Sequence, residues 1–396
     1  MKVLVLSHMY PSTFNEVAGI FVHEQVKALT EKGVEVQVVS PVPWTPFPVN
    51  RLTGKWKAYS AIPGKATWEG IPVWYPRYLT FPRAWSFASS GRRMYGGIKD
   101  LAARIYQEFP FDLVHAHAAL PDGYVGALLK QSFRKPLLTT IHGQDAYVTM
   151  KRNRSCWRNV NQALIHADRV IVVSEPLRKA LEEGLKRELP NIQVIHNGVS
   201  LNKVFQGQIK KKAGAKVILT LGYLIERKGH KQALEAVARL LARHPHLEYK
   251  IAGRGPLRNS LEELSKELSL ESVVEFLGFV PNDDLPRLLA SCDVFLLPSW
   301  DEAFGVVYLE AMANGKPVIG CQGEGIEDFV EHGKTGLLVK PRDVDSLVEA
   351  LDFLLSHPEE ARGMGERARM TVLANYTWEK NAEKTVAVYR EVLSAC

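Results

Sequence analysis

Two glutamates, Glu302 and Glu310, bracket the run Ala303-Phe304-Gly305-Val306-Val307-Tyr308-Leu309 within the segment Pro298–Ala313. The apolar stretch Val294–Leu297 before it reads as a strand, and a helix opens near Phe304-Gly305. Glycine at 305 lets the backbone approach a ligand closely. The N–H groups of a helix start form an anion site. A carboxylate repels phosphate but accepts hydrogen bonds from sugar hydroxyls. The spacing therefore suits a ligand with a diphosphate for the amides and sugar rings for the two acids. A capped helix with exposed glutamates shows the same spacing, so other segments must decide.

Four further segments end predicted strands with chemically useful groups. Leu221-Gly222-Tyr223-Leu224-Ile225-Glu226-Arg227-Lys228-Gly229 places Arg227 and Lys228 where they can reach a phosphate, although solvated loop cations look alike. Ile251-Ala252-Gly253-Arg254-Gly255-Pro256 resembles a nucleotide-binding turn but lacks the third glycine of G-x-G-x-x-G. In the first half, Val114-His115-Ala116-His117 and Thr140-Ile141-His142-Gly143-Gln144-Asp145 bring imidazoles to adjacent strand ends. A period of two puts His115 and His117 on one face, and His117, nearer the strand end, is the better cleft candidate. A metal set of His115, His117, His142 and Asp145 lacks tight ligand spacing, so no metal site is expected. Gly333-Lys334-Thr335 fails as a P-loop because Asp328 stands where a glycine is required. Asp343-Val344-Asp345 reads as a helix start, and no G-x-S-x-G elbow anchors a hydrolase triad.

Those segments need a frame of strands, and the chain supplies one. Its 396 residues alternate short apolar runs with helical patterns, as in parallel sheets covered by helices. The first series is Val3–Ser7, a helix over 19–32, Val34–Ser40, Leu113–Ala116, Leu137–Ile141, Val170–Val173 and Gln193–Ile195. The second is Val217–Leu221, Tyr249–Ala252, Val273–Leu277, Val294–Leu297, Pro317–Gly320 and Gly336–Val339, with helices over 232–243 and 258–268. This predicts two doubly wound α/β halves: residues 1–200, a linker over 201–213 that includes Lys210-Lys211-Lys212, and residues 214–375, with a terminal helix over 376–396 crossing back to the first half. Ligands bind at the carboxyl ends of such strands, so a cleft between the halves is the default site.

Charge and aromatics gather in one place. Between Arg51 and Tyr95 eight basic residues face a single acid, Glu69, which accounts for the chain's whole net charge of +7. Trp44, Trp56, Trp68, Trp74 and Trp85 lie in or beside this stretch, read as an insertion over about 44–95. Basic residues interleaved with Trp suit an anionic membrane surface or a lipid-linked acceptor; core tryptophans in an insertion are the plain alternative. No nucleic-acid-binding motif is present, so no nucleic acid is expected. Four cysteines without a C-x-x-C pair indicate a reducing compartment. No apolar run reaches the roughly 18 residues of a membrane span, and the apolar start is too short for a signal-peptide core. The expected location is cytoplasmic, with peripheral contact at the inner membrane face.

Together these motifs resemble the retaining glycosyltransferases of family 4, over nearly the whole chain. The resemblance rests on Glu302-Ala303-Phe304-Gly305 with Leu309-Glu310-Ala311-Met312-Ala313-Asn314-Gly315-Lys316-Pro317, on Gly253-Arg254-Gly255-Pro256, Arg227-Lys228-Gly229 and His196-Asn197-Gly198-Val199, and on Tyr376-Thr377-Trp378. Met9-Tyr10-Pro11 and Gly19-Ile20-Phe21-Val22 resemble the branch around the teichuronic acid biosynthesis enzymes. The resemblance implies the GT-B fold, two Rossmann-like domains facing a central cleft. It implies a metal-independent hexosyltransferase without a cofactor, moving a sugar from a nucleoside diphosphate (UDP favoured, GDP as alternative) to a saccharide or lipid-linked saccharide in cell-surface polysaccharide or glycolipid synthesis.

By the same resemblance His117, Lys228 and Glu302 form the catalytic group. Gly19, Gly222, Arg227, Gly253, Ala303, Phe304, Gly305, Val306 and Glu310 complete the donor site, with Glu310 on the ribose. His142, Asp145 and Asn197 are candidate acceptor or sugar contacts. Two departures stand out. Tyr223 replaces a frequent arginine, for which Arg227 is the candidate substitute, and Arg254 replaces a common aspartate. A nucleotide-sugar epimerase or sugar phosphorylase on a similar fold, or a non-catalytic sugar-binding protein, are the alternatives.

Overall fold

A computed structural model describes residues 1–48, 53–81, 86–209 and 214–395. Arg51, Arg83, Trp85, Lys210-Lys211-Lys212 and Cys396 lie outside the described residues. The chain divides into two compact units, 1–197 with 378–396, and 198–377.

In the first unit, β1 (Lys2–Leu6), β2 (Glu35–Val39), β4 (Lys65–Trp68), β5 (Ile71–Trp74), β7 (Leu113–His117), β8 (Leu137–Ile141), β9 (Arg169–Val172) and β10 (Ile192–Val194) form one sheet, while β3 (Val42–Trp44) and β6 (Arg77–Leu79) pair separately. The sheet order is β10-β9-β8-β7-β1-β2-β5-β4, and only the edge strand β4 runs antiparallel to its neighbour. Val3, Leu4, Val5 and Leu6 are all buried, as expected of a central strand covered on both faces.

The Trp-rich stretch read as an insertion is built into this framework rather than set apart from it. Ile71 and Val73 alternate into the core and carry β5 alongside β2. Trp74 donates its indole N–H to Gln37 Oε1 (2.8 Å) and Trp68 to the Tyr75 hydroxyl (2.7 Å). The Arg77 guanidinium donates to the carbonyls of Tyr59, Ser60 and Ile62. Short strands with Pro72 inside β5 and Pro76 between β5 and β6 carry too weak a periodic signal to show in the sequence.

The helix Trp378–Ser394 belongs to this first unit. Trp378, Ala382, Val386, Tyr389 and Val392 enter its core. Asn381 accepts from Gln25 Nε2 (2.7 Å) and donates to the His196 carbonyl (2.7 Å).

The second unit holds β11 (Lys216–Leu221), β12 (Leu247–Ala252), β13 (Val274–Gly278), β14 (Val294–Leu296), β15 (Val318–Cys321) and β16 (Gly336–Val339) in the order β13-β12-β11-β14-β15-β16, all parallel. Strand order reverses between β11 and β14, and in the first unit between β1 and β7. Loops after such strand pairs diverge and leave a crevice for ligand.

Replacing Asn381 with alanine removes the acceptor of the buried Gln25 amide and one donor to the His196 carbonyl. We expect a loss of about 2 kcal/mol in urea unfolding; an unchanged midpoint would show that the terminal helix does not depend on this link.

Candidate active site

In the second unit, the reversal point gathers the loops that follow β11 and β14. Gly229 holds φ +71°, and a Cβ there would drive into the Pro298 carbonyl. Its absence lets the turn Glu226–Lys228 lie against the loop after β14. Trp300 N–H donates to the Arg227 carbonyl (2.9 Å), and the Arg227 guanidinium donates to the Asp301 carbonyl (3.0 Å). On the other side, Gly222 N–H reaches the Ala252 carbonyl (3.0 Å), and a Cβ on Gly253 would strike Gly222 O.

These constraints bring the Lys228 ammonium onto Glu302 Oε2, with both side chains largely buried. Ser299 Oγ donates to the same oxygen (3.2 Å) and also meets the Tyr308 hydroxyl (3.1 Å), which donates to the Leu297 carbonyl. Burial alone would raise the Glu302 carboxyl, but Lys228, Arg227 and the Ser299 hydroxyl overcome it and hold the group below its ordinary value. Glu302 is therefore ionised at neutral pH.

Gly305, at φ +82°, precedes the helix Val306–Ala313, whose start carries no side-chain cap. Tyr308, Leu309, Ala311 and Met312 face the core, leaving Val306, Val307 and Glu310 on a half-buried stripe. Ala303 and Phe304 are packed inward, Phe304 against Phe329 (ring centroids 5.0 Å), so only their backbones can meet a ligand. Tyr223 is 59% exposed. Arg254 lies over the Phe279 ring (4.4 Å).

In the first unit, Gly19 opens the helix Ile20–Glu31 in a left-handed conformation. His117 ends β7, fully buried, with Nδ1 3.0 Å from His142 Nε2 and the rings stacked. His117 Nε2 and His142 Nδ1 have no hydrogen-bond partner. Burial pushes both imidazoles far below their ordinary value, His142 to about 3, so both are neutral. His115 shares the face but bonds the Tyr389 hydroxyl (2.6 Å) and Thr140 Oγ1 (2.7 Å), which makes it a core residue.

Asp145 is buried and accepts the N–H groups of Ala119 (2.8 Å) and Leu120 (3.2 Å), so it shapes the loop after β7. Burial raises its carboxyl to about 6. Asn197, also buried, follows β10 at the sheet edge, away from the β1–β7 reversal.

Two features escaped sequence reasoning. His8 donates its backbone N–H and presents Nδ1 (2.7 Å) to the fully buried Asp122 carboxylate, so this pair spans the β1–β7 reversal point. Their positions directly after strands on either side of the reversal were the available signal. Glu324, after β15, accepts the N–H groups of Asp301 (3.0 Å) and Glu302 (2.7 Å). Nothing in its local sequence marks it.

Two doubly wound α/β halves, one with a cation–carboxylate pair and a helix start at its reversal point, are those of the GT-B fold. The chain belongs to glycosyltransferase family 4: residues 18–203 match the family described as Glycosyltransferase Family 4, and residues 202–371 the one described as Glycosyl transferases group 1. It is 28% identical to TuaC of Bacillus subtilis, whose name assigns it as a glycosyltransferase of teichuronic acid biosynthesis, with 99% of each chain covered. It is 32% identical to the N-acetyl-alpha-D-glucosaminyl L-malate synthase of Bacillus anthracis, over 74% of this chain and 77% of that one. The Anabaena HepE structure with UDP and glucose superposes with a TM-score of 0.72 at 20% identity, covering 99% of this chain and 100% of that chain.

Lys228→Met leaves the buried Glu302 carboxyl without its ammonium partner, so that burial pushes the group upward, and is expected to lower stability by about 3 kcal/mol. The double variant Lys228→Met/Glu302→Gln should recover most of that loss in chemical denaturation. Losses that simply add would overturn the pairing. Because the Glu302 carboxyl is depressed, the pair's stabilisation is complete above the ordinary glutamate range and fades as acid titrates the carboxylate.

Proposed function

We propose that the protein is a retaining, metal-independent hexosyltransferase that takes its sugar from a UDP-sugar and delivers it to a hydroxyl of a saccharide or lipid-linked saccharide in cell-surface polysaccharide or glycolipid synthesis. The observation that carries this reading is the buried Lys228–Glu302 pair beside the uncapped helix start at Gly305.

Lys228 and the amides of Phe304, Gly305 and Val306 take the diphosphate, whose negative charge grows as the glycosidic bond breaks. A preorganised donor of this kind typically contributes about 3 kcal/mol. These fixed charges do the neutralising work that a metal ion does in other sites. Glu302 accepts from hydroxyls of the transferred sugar and Glu310 from the ribose. Gly19 lies in the loop that approaches the donor phosphates. The leaving phosphate takes the acceptor proton, so no side-chain base is needed. His117 is neutral and positions the sugar through Nε2, while His142 sets the ring that faces it. The nucleotide sugar is the substrate and no further cofactor is invoked. The UDP preference is supported by the HepE complex, and the polysaccharide role by the name of TuaC.

Peripheral membrane contact is the remaining part of the proposal. Phe47 is 74% and Phe81 50% exposed, in the region that also carries Lys55, Lys57 and Arg92. No helix among the described residues is long and apolar enough to cross a membrane.

A panel of UDP-, GDP- and ADP-sugars, read by thermal stabilisation and slow donor hydrolysis, tests the donor. UDP-sugars should stand out, and a response confined to GDP- or ADP-sugars would reassign the base. Lys228→Ala and Glu302→Ala should each lower turnover per folded molecule at least about a hundredfold; near-normal rates in both would reject the site.

Cosedimentation with anionic vesicles at low salt should recover the protein, with recovery falling as salt rises. Protein left in the supernatant at low salt would remove the membrane contact.

A further inference from the structure

Asp301 is a non-glycine residue at φ +52°, in the left-handed region that side chains disfavour. It immediately precedes Glu302, so its backbone decides where that carboxylate points. Three hydrogen bonds from the segment after β15 hold it. Glu324 Oε1 accepts from Asp301 N–H (3.0 Å), Glu324 Oε2 accepts from Glu302 N–H (2.7 Å), and Gly325 N–H donates to the Glu302 carbonyl (3.0 Å). Side chain and backbone of adjacent residues thus clamp both faces of the peptide that carries Glu302.

We propose that Glu324 is a positioning residue whose ionised carboxylate fixes the Asp301–Glu302 backbone and thereby aims Glu302 at Lys228, coupling the donor site to pH. The proposal rests on the assignment of Lys228 and Glu302 to the donor site. Only the ionised form offers both oxygens as full acceptors to two adjacent amides. A protonated carboxyl keeps one full acceptor and weakens the other bond, which frees Asp301 to relax toward an ordinary conformation.

The carboxylates of Asp301 and Glu302 face Glu324 from the clamped loop, the Cys321 thiol from the end of β15, and the Tyr308 hydroxyl from the neighbouring helix. Arg227 and Lys228 lie beyond, engaged with Asp301 O and with Glu302. Burial raises the Glu324 carboxyl to about 7; the two amides lower it and the two carboxylates raise it further. The clamp is therefore set above that value and loosened below it. Stability runs the other way. A raised carboxyl favours the protonated fold, so the charged form destabilises the unit as pH rises from the ordinary glutamate range through 7.

The test compares wild type with Glu324→Gln in hydrolysis of UDP-glucose from pH 5.5 to 8.5, alongside thermal unfolding over the same range. In wild type we expect kcat/KM to rise about tenfold, the size of one charged hydrogen bond, while the unfolding temperature falls. Glu324→Gln should be slow and flat in rate, and should lose its part of the stability slope. A glutamine variant that keeps the wild-type rise overturns the proposal.

A carboxyl-carbon NMR titration of wild type needs neither the variant nor turnover. The Glu302 resonance should follow a titration of Glu324 near pH 7. An unmoved Glu302 while Glu324 titrates overturns the clamp. If wild type hydrolyses no nucleotide sugar, the donor-site assignment fails, and the NMR titration alone decides the clamp.

Discussion

Everything at the candidate site depends on keeping one ammonium and one carboxylate together and nearly out of water. Each ion alone would pay several kcal/mol for that burial. The surroundings of Lys228 and Glu302 supply the compensation: the Ser299 hydroxyl on the carboxylate, Arg227 strapped to the carbonyl of the preceding Asp301, and Tyr308 closing the network onto the Leu297 carbonyl just after β14. Those same bonds join the loop after β11 to the loop after β14. The pair is thus a consequence of strand order, because only the reversal point brings these two loops side by side.

The two units use one topology for opposite electrostatics. The second unit places fixed charge at its reversal point. The first places stacked, neutral imidazoles there, His117 and His142, beside the His8–Asp122 pair. Burial lowers the histidines so far that they act only as neutral hydrogen-bonding groups across the physiological range. That division suits the proposed reaction, in which charge develops on the phosphate.

Much of this was legible in residue order. The runs Val3–Leu6 and Val217–Leu221, apolar but for Thr220, mark central parallel strands, because helices cover both faces. Glycines at 229 and 253 mark loops that pack backbone to backbone, and Gly305 marks a turn closed against the Tyr308 ring. The Trp-rich stretch was less legible. Its strands are only three or four residues long, and the Trp74 indole finds its partner outside the stretch, on Gln37 of β2. A pair of histidines two apart likewise gave no choice beyond nearness to the strand end. The structure chooses by showing that His115 has both nitrogens engaged and His117 has one without a partner.

Sequence by itself determined the two doubly wound halves and the identity of the ionisable groups at strand ends, since both follow from local periodicity and from residue type. Tertiary structure alone decided which of those groups meet. Glu324 reaches the amides of Asp301 and Glu302, and Asp122 reaches His8 across 114 positions. The reason is physical: a hydrogen bond is set by distance and direction in space, and strand crossovers separate neighbours in space by whole βαβ units along the chain.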